Sequence, residues 1–241
     1  MLVTSQQNKN ISVVIPVFNE GDLIEPTLFR LIDKQDFQEI IVVDGGSNDN
    51  TISIVTGFIG QHDSANGCRL VLLRSAAGRA LQMNKGASQA ASQTLLFLHA
   101  DTTLPDNTAA MINKALSAGR LWGRFDVRLD SEQSIFRLIE YMMNLRSAWT
   151  GIVTGDQAIF IDRGLFQRKG GFADIVLMED IEFSRRLKRD SWPVRLRAPV
   201  VTSARRWQHR GILRTIMLMW WLRLLYWFGV KPDRLVKRYY S

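Results

Sequence analysis

The sequence predicts an α/β protein: a single doubly wound, mostly parallel mixed sheet flanked by helices, ending in a helical tail. Three observations predict it. Short β-branched apolar runs have the composition of strands buried on both faces, the stretches between them carry helical spacing, and neither an internal repeat nor a Pro/Ser-rich linker divides the 241 residues. At 46% hydrophobic the chain can bury a substantial core, so one domain is expected.

The first apolar run, Ile11–Val17, ends in a proline-containing turn and reads as a buried strand. A helix is expected over Asp22–Asp33, where Leu23, Leu28, Leu31 and Ile32 fall at helical spacing, and a second strand over Glu39–Val43 stops at Asp44-Gly45-Gly46. The alternation continues with a helix over Asn50–Ile59, a strand over Arg69–Leu73, a helix over Arg79–Ser92 and a strand over Thr94–Leu98. After residue 120 it weakens. A helix over Ser134–Trp149, a short strand over Ala158–Ile161 and a helix over Ile181–Lys188 are the elements expected there.

The net charge of +8 is unevenly spread: residues 1–120 carry −2 and residues 121–241 carry +10. Such asymmetry suits an anionic partner, whether a phosphorylated ligand, an acidic lipid surface or nucleic acid, and equally a solvated basic surface. The single cysteine, Cys68, cannot form an internal disulfide, and the start of the chain does not read as a signal peptide. The expected location is the cytoplasm, with peripheral attachment to the inner face of the membrane as an option.

In parallel sheets, ligands sit beyond the carboxyl ends of the strands. The residues found there are Phe18-Asn19-Glu20, Asp44-Gly45-Gly46-Ser47 and His99-Ala100-Asp101. Asp44 can accept hydrogen bonds from a nucleobase or ribose while the glycines admit a ligand to the backbone, or the same residues can form a turn and a helix cap. Asp101 can hold Mg²⁺ or Mn²⁺ through oxygen, or cap a helix beginning near Pro105. Glu179-Asp180, beside apolar Ile175, Val176, Leu177 and Met178, offers a carboxylate whose partial desolvation suits a general base, or a favourable charge at a helix N-terminus. Gly155-Asp156-Gln157 either presents donors to a hydroxylated acceptor or is a polar turn.

Together, Val14–Glu20 (VIPVFNE), Val42–Thr51 (VVDGGSNDNT), Phe97–Asp101 (FLHAD) and Met178–Asp180 (MED) resemble, in order, the motifs of inverting family 2 glycosyltransferases with the A-type nucleotide-sugar fold. Gly78–Ala87 (GRALQMNKGA) is similar to a bacterial subgroup of that family, some of it associated with selenium or arsenic metabolism. The resemblance implies transfer of a sugar from a nucleoside-diphosphate sugar, a UDP-sugar first, to an acceptor not specified by the motifs. By the same resemblance Pro16, Asn19, Glu20, Asp44, Gly46, Arg79, His99 and Asp101 would bind the donor, and Gly155, Asp156 and Gln157 would face the acceptor. Asp180 would be the base with Glu179 beside it, and Mg²⁺ or Mn²⁺ would sit on Asp101, with His209 as a further ligand. His99 stands where the family's D-x-D motif has its first aspartate. Arg205-Arg206-Trp207 is loosely similar to an arginine–tryptophan acceptor motif of processive relatives. Residues 1–205 would form the nucleotide-sugar-binding and catalytic part, and 206–241 a basic aromatic tail that is not an independent domain.

Ile212–Phe228 is too short and too charged, with Arg214 and Arg223, to read as a membrane span, and the two arginines fall on opposite sides of a helix. Trp220, Trp221, Tyr226 and Trp227, with Lys231, Arg234, Lys237 and Arg238 following, suit an anionic membrane surface, a homodimer contact or docking on the core. Three rivals are weighed by what they need. A dinucleotide-binding oxidoreductase needs G-x-G-x-x-G after the first strand, which is absent, and a nucleotidyltransferase needs a Gly-rich, arginine-bearing loop there, where this chain has Pro16–Gly21. A basic module for nucleic acid or membrane would bind with steep salt dependence; no nucleic-acid partner is expected.

Overall fold

The computed structural model describes residues 10–62, 67–232 and 234–236. Its first half is the expected alternation: β1 (Ile11–Val17), α1 (Gly21–Asp33), β2 (Glu39–Asp44), α2 (Thr51–His62), β3 (Arg69–Arg74), α3 (Arg79–Gln89) and β4 (Thr94–Phe97). Then come β5 (Thr102–Thr103), α4 (Thr108–Ser117), β6 (Trp122–Leu129), α5 (Ser134–Thr150), β7 (Phe160–Asp162), α6 (Arg163–Arg168), α7 (Glu179–Leu187) and β8 (Val194–Thr202). Two helices, α8 (Arg205–Arg210) and α9 (Ile212–Trp227), form the tail.

All the strands join one sheet in the order β3-β2-β1-β4-β7-β6-β8-β5. β3, β2, β1 and β4 are mutually parallel, β7 runs antiparallel to both β4 and β6, and β8 runs parallel to β6. Strand periodicity assigns the two faces. Val13, Ile15 and Val17 of β1 pack with Ile24 and Leu28 of α1, Val55 of α2 and Ile112 of α4. Val14 turns the other way, into a layer with Met83 and Ala87 of α3, Phe166 of α6 and Phe183 and Leu187 of α7. Helices on both faces are what the buried, unbroken apolar runs require.

α3 lies close to the sheet because Gly86 has no side chain. A Cβ there would stand 2.4 Å from Val14 Cγ1 and 3.1 Å from Val43 Cγ2. Gly86→Ala is therefore expected to lower the unfolding free energy by about 1–3 kcal/mol through overpacking, despite alanine's better helix propensity, as a denaturant titration will show.

The weak alternation expected after residue 120 conceals β6 and β8, an adjacent pair. β6 reads WGRFDVRL, and two of its three charged positions point inward: Arg124 and Asp126 are both buried and paired, with Arg195 of β8 donating to Asp126 at 2.8 Å, while Arg128 is exposed. Paired charges stand where an apolar residue would have signalled a strand. In β8 the register shifts opposite Phe125 and Asp126, and Pro199, which has no N–H to donate, sits at that irregularity.

Candidate functional site

The carboxyl ends of β1 and β2 are stitched to each other by the polar residues that follow them. Asn19, in the left-handed conformation at φ 55°, accepts from the Asn48 amide at 2.9 Å, and its own amide donates to Ser47 Oγ at 2.9 Å. The Glu20 amide donates to Thr51 Oγ1 and the Gly21 amide to Asp49 Oδ2. Asp44 is 1% exposed, and its carboxylate accepts from the Gly46 and Ser47 amides, so it holds the turn that presents exposed Gly46 and Asn48. Pro16 lies within β1, half-buried opposite Val43, rather than in the loop.

Below these loops lies a residue to which sequence reasoning gave no role. Gln82 of α3 is buried and donates through Nε2 to the Val17 carbonyl at 2.7 Å and the Val43 carbonyl at 2.8 Å, tying the two strand ends together. Its signal is faint in a sequence, since a glutamine on a helix normally reads as surface.

Glu20 and Asp101 face one another across this end of the sheet. Burial raises the Glu20 carboxyl above its ordinary range, the charge of Asp101 raises it further, and Arg205 and Arg79 pull it back. Arg79 opens α3 behind Gly78, which adopts φ 140°, and Arg205 opens α8, so the tail brings a charge to this end of the sheet. Asp101 Oδ1 accepts from Thr102 Oγ1 at 3.1 Å and Thr202 Oγ1 at 3.3 Å. Among the described residues no three His, Cys, Asp or Glu side chains converge on a metal site. The oxygen donors nevertheless fit Mg²⁺ or Mn²⁺ in the manner these ions favour, with one or two carboxylates completed by substrate phosphates and water, and a cation would relieve the Glu20–Asp101 repulsion. The side chain of His209, the second expected ligand, lies outside the described residues, as do Lys237 and Arg238.

On the other side of β4 the remaining expected residues meet. Gly155–Gln157 form a single 3₁₀ turn capped by Thr154. The Gly155 amide donates to Asp180 Oδ2 at 2.9 Å, and a Cβ on Gly155 would lie 2.7 Å from His99 Nε2. His99, Gly155 and Asp180 are thus brought together from three distant segments. Asp180 Oδ1 also accepts from the Ile181 amide at 2.7 Å, in the first turn of α7, and Met178 before it is held at φ 71°. A non-glycine residue in that conformation is strained and is found where surrounding structure fixes it. Burial raises Asp180 above the ordinary carboxylate range against the pull of its two amide donors. Burial, and then the charge of Asp180, push Glu179 up to about 7, while Arg79 pulls it down. Two repelling carboxylates that hold a proton near neutrality are a suitable general base.

That shift predicts a pH effect on stability. Glu179 takes up its proton more readily folded than unfolded, so its contribution is complete below about 4.5 and is lost as pH rises through about 7. Glu179→Gln removes that dependence. The variant is expected to gain stability over the parent progressively from pH 5 to pH 8, by at most about 3 kcal/mol, in parallel thermal melts.

The tail docks on the core. Leu222 and Leu235 are buried against Met178 and Ile181, while Trp207, Ile212 and Ile216 pack with Phe136 and Ile139 of α5 and with Leu129. Arg223 turns inward, where its charge is felt by Asp180 and Arg146. Leu213, Met217, Trp220, Leu224 and Trp227 remain exposed as a second apolar stripe. α9 is thus apolar on two faces, which is why its arginines fail to define one polar side. Among the described residues no helix is long and apolar enough to cross a membrane.

Comparison with known proteins gives the family and the fold. The model of the family described as "Glycosyl transferase family 2" matches residues 12–173. The poly-beta-1,6-N-acetyl-D-glucosamine synthase of Staphylococcus epidermidis is 32% identical over 103 residues, 42% of this chain and 24% of that protein. The probable glycosyltransferase YdaM of Bacillus subtilis is 26% identical over 238 residues, 90% of this chain and 54% of that protein. The chain therefore spans about half the length, or less, of these relatives. In fold it is similar to the mannosyltransferase PcManGT from Pyrobaculum calidifontis, solved with GDP-Man and Mn²⁺, with a TM-score of 0.60 at 22% identity over 80% of this chain and 56% of that one.

Proposed function

Because the chain belongs to glycosyl transferase family 2, we propose that it moves a glycosyl group from a nucleoside-diphosphate sugar to an acceptor hydroxyl or other oxygen nucleophile, with inversion. The observation that carries this reading is the convergence of Asp180, Gly155 and His99 on one side of β4, with Glu20, Asp101 and Arg79 at the strand ends. The stitched loops after β1 and β2 would receive the nucleoside, with Asn19, Asp44 and Gly46 shaping them. Arg79, at the start of α3, would meet the diphosphate together with the amides of that helix terminus.

Asp180 would take the acceptor's proton as the acceptor oxygen bonds to the anomeric carbon, and the bond from that carbon to the diphosphate breaks with its electron pair leaving on the diphosphate. One displacement from the opposite face inverts the centre. Asp101, with Glu20 near it, would hold Mg²⁺ or Mn²⁺, which when bound supplies positive charge to the departing diphosphate. Asp156 and Gln157 would orient the acceptor. A neighbour bound to GDP-Man and Mn²⁺ supports both the donor class and the metal. The association with selenium or arsenic metabolism stays with the resemblance in Gly78–Ala87.

The test is a thermal-shift panel of UDP-, GDP- and dTDP-sugars with and without Mn²⁺. A donor that binds only the native state raises the melting temperature. At least one is expected to do so in a metal-dependent way, and a panel without any shift contradicts the reading. A basic module that binds anionic membrane or nucleic acid without transferase activity would instead bind those surfaces with steep salt dependence and ignore the panel.

A further inference from the structure

One face of α3 lies against the ends of β1 and β2. Gly86 lets the helix approach, and Gln82, four residues earlier on that face, spans the remaining gap with its side chain. The atoms opposite it are two carbonyl oxygens, of Val17 at 2.7 Å and Val43 at 2.8 Å, so only the amide nitrogen, with its two hydrogens, can meet them both. The Val17 carbonyl also accepts from the Gly45 amide at 3.0 Å. A Cβ on Gly45 would stand 3.0 Å from the Gln82 amide, so the glutamine fills the space beneath that turn.

The neighbours of Gln82 on α3, Ala80, Met83 and Ala87, are buried and apolar. An apolar side chain at position 82 would complete that layer without the desolvation a buried amide carries, so packing does not call for glutamine. What the amide adds is position. The β1–β2 register ends at the pair Val17 and Asp44. Just beyond it the chain surfaces at both places: Val17 and Gly45 are buried, and Phe18 and Gly46 are exposed. Gln82 holds the two strand ends from below, so the exposed side of both turns stays open to a ligand.

We propose that Gln82 is a positioning residue of the nucleoside site, fixing the separation of the β1 and β2 turns that a nucleoside must bridge. This rests on the glycosyltransferase reading above, which seats the nucleoside on those turns. A control lies two residues further along the helix. Asn84 grips the Phe172 backbone, donating to its carbonyl at 2.8 Å and accepting from its amide at 2.9 Å. It is the same kind of clamp on the same helix, applied to a different segment.

The experiment is isothermal titration of UDP, GDP and dTDP, with and without Mn²⁺, into wild type, Gln82→Met and Asn84→Leu, with melting temperatures recorded for each. Gln82→Met is expected to weaken the tightest of the three nucleotides about tenfold, the effect of one or two lost hydrogen bonds. Mn²⁺ is expected to tighten that nucleotide by the same factor as in wild type, because the diphosphate end is untouched. Asn84→Leu is expected to lower the melting temperature as Gln82→Met does, yet to bind within about twofold of wild type. If Gln82→Met does not melt cooperatively, Gly45→Ala takes its place, since its Cβ presses on the same amide from the loop side.

Unchanged nucleotide affinity in the variant that folds overturns the inference alone, as does an equal loss in Asn84→Leu, which would make the effect a general loosening of α3. A lost Mn²⁺ factor overturns it too, by placing the damage at the diphosphate. If wild type binds none of the three nucleotides, the glycosyltransferase reading falls with it.

Discussion

Asp180→Asn is expected to lower kcat by about 10²–10⁴-fold while leaving the affinity for the nucleotide-sugar close to that of the parent. The substitution retains a side-chain oxygen that can accept from the Gly155 or Ile181 amide, so the turn and the first turn of α7 keep an anchor. What it removes is the ability to take a proton. The companion change, Glu179→Gln, removes the carboxyl that the charge of Asp180 helps to push up to about 7, so the step that Glu179 contributes to the kcat/KM profile is expected to disappear. Steady-state rates across pH 5–9 check both. A fall in donor affinity at unchanged kcat would place Asp180 in donor binding instead.

The second large effect is expected at Asp101. Asp101→Asn keeps an oxygen for Thr102 Oγ1 and Thr202 Oγ1, so the contact between β5 and β8 survives, but it withdraws the negative charge expected to hold the metal beside the diphosphate. Loss of electrostatic stabilisation at a departing anion is worth about 10²–10³-fold in kcat. Mn²⁺ should also cease to tighten nucleotide-sugar binding, as isothermal titration with and without the metal will show. The same change should lower the pKa of Glu20, whose carboxyl feels the Asp101 charge.

Residues 11–98 were legible because each strand there is a nearly pure apolar run and each interval has helical spacing; β1, β2 and α1 stand within a residue or so of their expected bounds. β6 and β8 were not, because the inward positions of β6 carry Arg124 and Asp126, whose burial is stabilised only by partners distant in sequence, Arg195 among them. The site divides in the same way. Asp44, Asp101 and Asp180 stand at element ends, where local sequence marks them. Gln82, Arg146 and Arg223 sit inside helices, and what folding brings to them is not written locally: two strand-end carbonyls for Gln82, and burial of the side chain for the arginines. Arg205 belongs with them, since only the docking of the tail brings its charge to Glu20. The tail itself offered membrane, homodimer and core as partners, and it takes the core with one face while presenting another apolar face outward.

The central claim is that a nucleotide-sugar lies across the carboxyl ends of β1, β2 and β4, and hydrogen-exchange mass spectrometry with and without donor and Mn²⁺ tests it most directly. Bound ligand slows exchange of the amides it orders or covers. The account predicts protection confined to residues 17–21, 44–51 and 99–102 and to the start of α3, with α9 unchanged. Unaltered exchange in those segments at saturating donor, or protection found only in α8 and α9, would contradict it.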